Sequence, residues 1–268
     1  MNRLGRASAG VPILMYHHVS PELVPGFRKY TVTPQAFAAQ MRWLATRGYT
    51  SVDLDALLAA RSGGDALPPR PVVITFDDGF QDCVRYAVPV LQSHGFTAVF
   101  YLVAGLVGET SRWLQPGPAG NLALMDWPAA RQLEAMGFRC GAHTMTHPRL
   151  VDLSRSACGE ELRDSRHLLE DHLGHDVRHL AYPFGSLDDG VRALAAEAGY
   201  RSAASVRIGL SPPDDDPLIL YRVPINGQDA LVDFVCRLYT AHTVGEHVRR
   251  FAGAIRRRWG PIEKERPA

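Results

Sequence analysis

Apolar residues in this chain gather in short runs rich in β-branched and aromatic side chains, at residues 11–16, 49–52, 72–76, 97–103, 138–142, 177–182, 200–206 and 218–223. Runs of this length are too brief for helices and fit strands buried on both faces. Between them the period changes to that of a helix. Thr33-Pro34 supplies an N-cap and a proline at the first helical position, and Phe37, Met41, Leu44 and Ala45 then share one face of a helix ending at Gly48. The same patterning predicts helices over 54–60, over 80–94 with a kink at Pro89, from Asp126-Trp127-Pro128 to Met136, from a Ser154 cap to about Leu173, and over 187–198. In the C-terminal region Leu231, Phe234, Val235 and Leu238 keep core spacing. Strands alternating with helices predict a parallel sheet with βαβ crossovers. Seven or eight such units predict an α/β chain closed, or nearly closed, into a (β/α)7–8 barrel. Two loops stand out, residues 20–32 with Pro21, Pro25 and Gly26 near the mouth of a site, and the Gly/Pro-rich residues 105–124, long enough to suggest function.

The 268 residues, 46% of them hydrophobic, suffice for one large core, so a single domain is expected over 1–268, with its core at about 11–225 and C-terminal helices at 229–258. With 29 basic and 28 acidic side chains the net charge is +1, which excludes a general attraction to nucleic acid or anionic membrane. Cys83, Cys140, Cys158 and Cys236 form no Cys-x-x-Cys pair and read as free, mostly buried thiols. Residues 1–10 carry two arginines but no apolar run before a small-residue cleavage site, and no 18-residue apolar span occurs anywhere. The direct expectation is a cytoplasmic protein without a transmembrane segment, or an extracytoplasmic one if a leader has been removed.

Two stretches carry chemistry. In Val72-Val73-Ile74-Thr75-Phe76-Asp77-Asp78-Gly79 a buried strand runs into paired carboxylates. Ligands of barrels and open α/β sheets sit at the carboxyl ends of parallel strands, and neighbouring acids divide the labour if one binds a cation while the other takes a proton. The plain alternative is a helix cap followed by a glycine turn. In Gly141-Ala142-His143-Thr144-Met145-Thr146-His147-Pro148 two imidazoles four apart are expected on one side of a helical turn, within reach of one metal ion. Two histidines and one carboxylate match the three-ligand catalytic zinc pattern with an open position. Such an ion would lower the pKa of water and polarise a carbonyl, and a further histidine would return a proton to the leaving group.

The segments TFDDG (75–79), HTMTH (143–147) and YPFG (182–185), in this order, resemble the polysaccharide deacetylase family, also called carbohydrate esterase family 4 or NodB-like, over roughly residues 11–225. The resemblance implies a distorted (β/α)7–8 barrel and a metal-dependent hydrolase that removes N-acetyl groups from N-acetylhexosamine units of a glycan. It implies Asp77 as general base, and Asp78, His143 and His147 as ligands of a divalent metal, usually zinc. Pro183 and Phe184 would line the site, with the Phe184 N–H in an oxyanion hole.

Two positions depart from the family pattern. The arginine that many members carry just before the third motif is replaced by Ala181 or Tyr182, and Arg222 on the last strand is the substitute candidate. No strand-His segment follows residue 186, whereas Ile13-Leu14-Met15-Tyr16-His17 has those features at the other end of the chain. This resembles the permuted branch typified by poly-N-acetylglucosamine deacetylases, and it implies His17 as the acid with His18 as a neighbour. Tyr182, Pro183, Trp127 and Arg222 complete the substrate-side candidates, Trp127 by stacking on a sugar or, more simply, as core. Arg249-Arg250, Arg256-Arg257-Arg258 and Asp214 to Asp216 read as solvated surface. An O-deacetylase or deformylase of a lipid-linked sugar, and a silent glycan-binding module, are the competing expectations.

Overall fold

A computed structural model describes residues 10–250. The expectations for residues 1–9, for helix continuing to 258 and for Arg256-Arg257-Arg258 lie outside them. Seven of the apolar runs become the barrel strands Ile13–Tyr16 (β1), Pro71–Phe76 (β2), Val99–Leu102 (β3), Arg139–Ala142 (β4), His179–Ala181 (β5), Ser202–Ile208 (β6) and Leu220–Pro224 (β7). All pair in parallel with their sequence neighbours, and β1 closes the ring by pairing both β2, Ile13 opposite Val73, and β7, Leu14 opposite Val223. The run at 49–52 contributes only Thr50–Ser51, which pairs with the outer start of β2.

Alternation along the strands sorts side chains that the sequence shows only as uniformly apolar. Ile13, Val73, Val99, Tyr101, Ala181, Ala204 and Leu220 form one buried cluster that includes Leu54 and Leu57. Their neighbours Leu14, Tyr16, Ile74, Phe76, Phe100 and Leu102 belong to the larger cluster under the helices, where Phe76 and Phe100 stack at 4.7 Å. Gly141 is small because a Cβ there would lie 2.6 Å from the Tyr101 ring.

Helices Pro34–Thr46 (α1), Leu54–Arg61 (α2), Gln81–Tyr86 (α3), Val88–Ser93 (α4), Trp127–Ala135 (α5), Arg155–Leu173 (α6), Asp189–Glu197 (α7) and Leu231–Thr240 (α8) surround the strands, and His18–Val19 pairs in parallel with Thr31–Val32 in a separate small sheet. Thr33, Asp53, Asp126, Ser154 and Asp188 each accept a hydrogen bond from the backbone N–H three residues on, which sets where five of them begin. The helix expected over 80–94 is two helices that meet at Ala87. Pro89 has no N–H to continue the first, and it starts the second instead. The 105–124 loop is built of 3-10 turns tied by the bridges Phe80–Leu124 and Thr110–Ala123. Trp43 of α1 meets Phe234 of α8 edge-on, which seats the last helix beside the barrel. No helix among the described residues is long and apolar enough to cross a membrane. The four cysteines are free, three of them buried.

Candidate active site

The strand period delivers the site. Within the barrel the inward positions climb through Met15, Thr75 and Gly141, and two residues further on come His17, Asp77 and His143, at the carboxyl ends of β1, β2 and β4. Asp78 would face outward on that count, but its backbone turns to φ 76°. Thr144, His147 and Phe184 also have positive φ, so four of the six non-glycine residues in this conformation among those described belong to this one region. Each such backbone costs on the order of 1–3 kcal/mol and persists only where its surroundings impose it.

His143 and His147 do not share a helical turn. Residues 143–147 form a loop in which both Thr144 and His147 take φ 64° and the Thr144 hydroxyl accepts the His147 N–H at 3.1 Å. The loop achieves what the helix was expected to do: each imidazole Nε2 lies 3.3 Å from Asp78 Oδ1, and the rings stand 4.7 Å apart at 73°. His143 Nδ1 is 2.7 Å from the Ala181 carbonyl, so its N–H donates there and Nε2 is the ring atom turned toward Asp78.

The three donors are buried and mutually within 4.8 Å, the one such cluster among the described residues. Two imidazoles and a carboxylate suit a divalent ion such as zinc. The electrostatics agree with a place for positive charge. Burial would raise the Asp78 carboxyl, but hydrogen bonds from His143 and His147 hold it far below the usual carboxylate range. Burial would lower His143, but Asp78 and Asp77 draw it up, whereas burial prevails at His147 and brings it down.

Asp77 faces Arg222. The guanidinium grips both carboxylate oxygens, at 2.7 and 2.8 Å, and also donates to Ser205 O at 2.8 Å and to the Thr75 hydroxyl at 3.2 Å. Burial pushes the Asp77 carboxyl up, and the charge and hydrogen bonds of Arg222 more than offset it, leaving the group below its ordinary value. Arg222 is 0% exposed, so it holds Asp77 and does not touch a ligand in the cavity. At the place where many family members carry arginine, Ala181 instead offers its carbonyl to His143.

His17 Nε2 lies 4.0 Å from Asp77 Oδ2, with the Tyr30 ring 5.0 Å away. Burial lowers its pKa, only partly countered by Asp78 and Asp77. His18 points elsewhere, clamped between Thr31 Oγ1 and Asp82 Oδ2 at 3.1 Å each.

These groups open into a cavity of about 510 Å³ also lined by Tyr182, Phe184, Trp113, Arg149 and Lys29. Pro183 is buried and Phe184, half-exposed, sets its ring edge-on to His147 at 4.6 Å. Trp127 is not brought here. It opens α5 and stacks flat on His172 at 3.8 Å, because its helix packs against α6 on the outside of the barrel. The cavity's own tryptophan is Trp113, which lies on His147 at 4.4 Å and 25°. Nothing in its local sequence singles it out beyond membership of the long 105–124 loop. Arg149 covers the Phe184 ring at 4.7 Å and was likewise unmarked, although it lies only two residues beyond the second histidine.

A family model described as polysaccharide deacetylase matches residues 64–203. The poly-beta-1,6-N-acetyl-D-glucosamine N-deacetylase of Staphylococcus epidermidis is 26% identical over 209 residues, 74% of this chain and 68% of that protein. Among solved structures, IcaB from Ammonifex degensii superposes with a TM-score of 0.69 at 27% identity, covering 81% of this chain and 92% of the other. The deacetylase PplD of Streptococcus pyogenes shares the fold, with a TM-score of 0.74 at 24% identity over 86% of this chain and 98% of its own. The barrel, the motifs at the ends of its strands and a family match over more than half the sequence agree: this chain belongs to the polysaccharide deacetylase family of hydrolases.

Proposed function

We propose that this protein is a metal-dependent N-deacetylase acting on N-acetylhexosamine units of a glycan, with zinc as the first candidate metal. The observation that carries the reading is a buried Asp78–His143–His147 cluster with an Arg222-anchored Asp77 beside it in the same cavity. A divalent ion held by those three side chains supplies Lewis-acid chemistry, lowering the pKa of water and polarising the amide carbonyl. Asp77 takes the proton of the attacking water, and Arg222 fixes the carboxylate in the orientation for doing so. The Phe184 N–H is the proposed donor to the developing oxyanion, on a backbone already held at φ 56°. His17 returns a proton to the departing amine. Its Nε2 lies 4.0 Å from Asp77 Oδ2, so base and acid flank the same point in the cavity. Water and amide become acetate and a free amine.

The substrate class is supported by the relative named for N-deacetylation of poly-beta-1,6-N-acetyl-D-glucosamine. Short N-acetylglucosamine oligomers, offered to the protein in metal-defined buffer beside O-acetylated and N-formylated sugars, test it. Acetate and new amine are expected in equal amounts from the N-acetylated series. Formate or ester-derived acetate as the main product, with the N-acetyl series untouched, would replace this reading with one of the others.

A further inference from the structure

We propose that Glu161 is a positioning residue for the metal cluster, acting through the backbone of the loop that joins its two histidines; the inference rests on the metal site proposed above. Glu161 belongs to α6, a helix of 19 residues, and is not itself a member of the cluster. Its Oε2 accepts the N–H groups of Met145 and Thr146, at 2.8 and 3.0 Å, and its Oε1 accepts the Thr146 hydroxyl at 2.6 Å. One carboxylate therefore fills the gap between His143 and His147.

The loop is held from the other side as well. Ala104 N–H donates to Thr144 O at 2.9 Å and Gly105 N–H to Met145 O at 3.0 Å. A Cβ on Gly105 would lie 2.7 Å from that Met145 oxygen, so the approach requires glycine. His143 N–H reaches Leu102 O at 2.7 Å and His147 N–H reaches the Thr144 hydroxyl at 3.1 Å. Every backbone N–H from 143 to 147 is thus accounted for except that of Thr144, and two of the four depend on Glu161 alone. The second histidine and Thr144 both have left-handed backbones, which persist only under outside constraint. With Glu161 gone, Met145 and Thr146 lose their acceptor and the segment can relax, which moves His147 relative to Asp78 and His143. A helix that also packs on β4 is a rigid base for such a clamp.

The test uses the full chain, cobalt(II) or zinc(II), and competition against a chromophoric chelator. Glu161→Ala is expected to weaken metal binding by about 10–100-fold, the usual penalty for losing support behind a ligand. The visible spectrum of the cobalt form is expected to change with it. Glu161→Gln is isosteric and keeps an oxygen for the two N–H groups, so it should stay within about threefold of the parent if geometry and not charge is the cause. The melting temperature of the metal-free Glu161→Ala protein should move by less than about 4 °C, as for a surface contact. Parental metal affinity in Glu161→Ala overturns the proposal. So does equal loss in the alanine and glutamine variants, or a loss that merely follows unfolding. A parent protein that binds no metal would instead remove the site on which the proposal rests.

Discussion

Asp77→Asn is expected to lower turnover on N-acetylated oligomers by about 10²–10⁴-fold, the range associated with a positioned general base. The amide keeps the shape of the carboxylate and retains a hydrogen-bond acceptor for Arg222, but it cannot take a proton from water. Metal content should be unchanged, because the cluster of Asp78, His143 and His147 does not include Asp77. Acetate release at saturating substrate, measured together with bound metal, separates the two effects. Turnover near the parental value with a full complement of metal would remove Asp77 from the base role.

Arg222→Met is expected to be the most destabilising single change at the site. Arg222 and Asp77 are both buried and joined by two hydrogen bonds, and methionine would leave the Asp77 carboxylate without its counter-charge in the barrel. Breaking such a pair from one side costs about 3–5 kcal/mol, much of it the penalty of stranding the remaining charge. Urea unfolding of the metal-free protein should show the loss. The double variant Asp77→Asn/Arg222→Met removes both charges and should recover much of the stability without any recovery of activity. An Arg222→Met protein as stable as the parent would mean that the ion pair contributes nothing to folding.

What the sequence discloses of this site follows from how locally each part is specified. The acids at 77 and 78 and the histidines at 143 and 147 lie in contiguous motifs that end predicted strands, and the period of two then explains why His17, Asp77 and His143 face one another across the barrel. The backbone of the histidine loop was not legible in the same way. A spacing of four fits a helical turn, and it also fits a loop with two left-handed residues, a choice fixed by Glu161, Ala104 and Gly105 from elsewhere in the chain. The tryptophans show the same limit. Trp127 sits at a well-marked helix start that happens to face His172, whereas Trp113 reaches the cavity from a loop with no periodicity at all. Some strands are also shorter than their apolar runs, as with His179–Ala181 inside residues 177–182.

The account depends most on Asp78, His143 and His147 holding one ion together. Elemental analysis of the parent and of His143→Ala, each stripped with chelator, reloaded with zinc and desalted, tests that directly. The account predicts one zinc per chain in the parent and almost none in His143→Ala at the same protein concentration, with both proteins folded. Zinc retained at one per chain by His143→Ala, or absent from the folded parent, would contradict it.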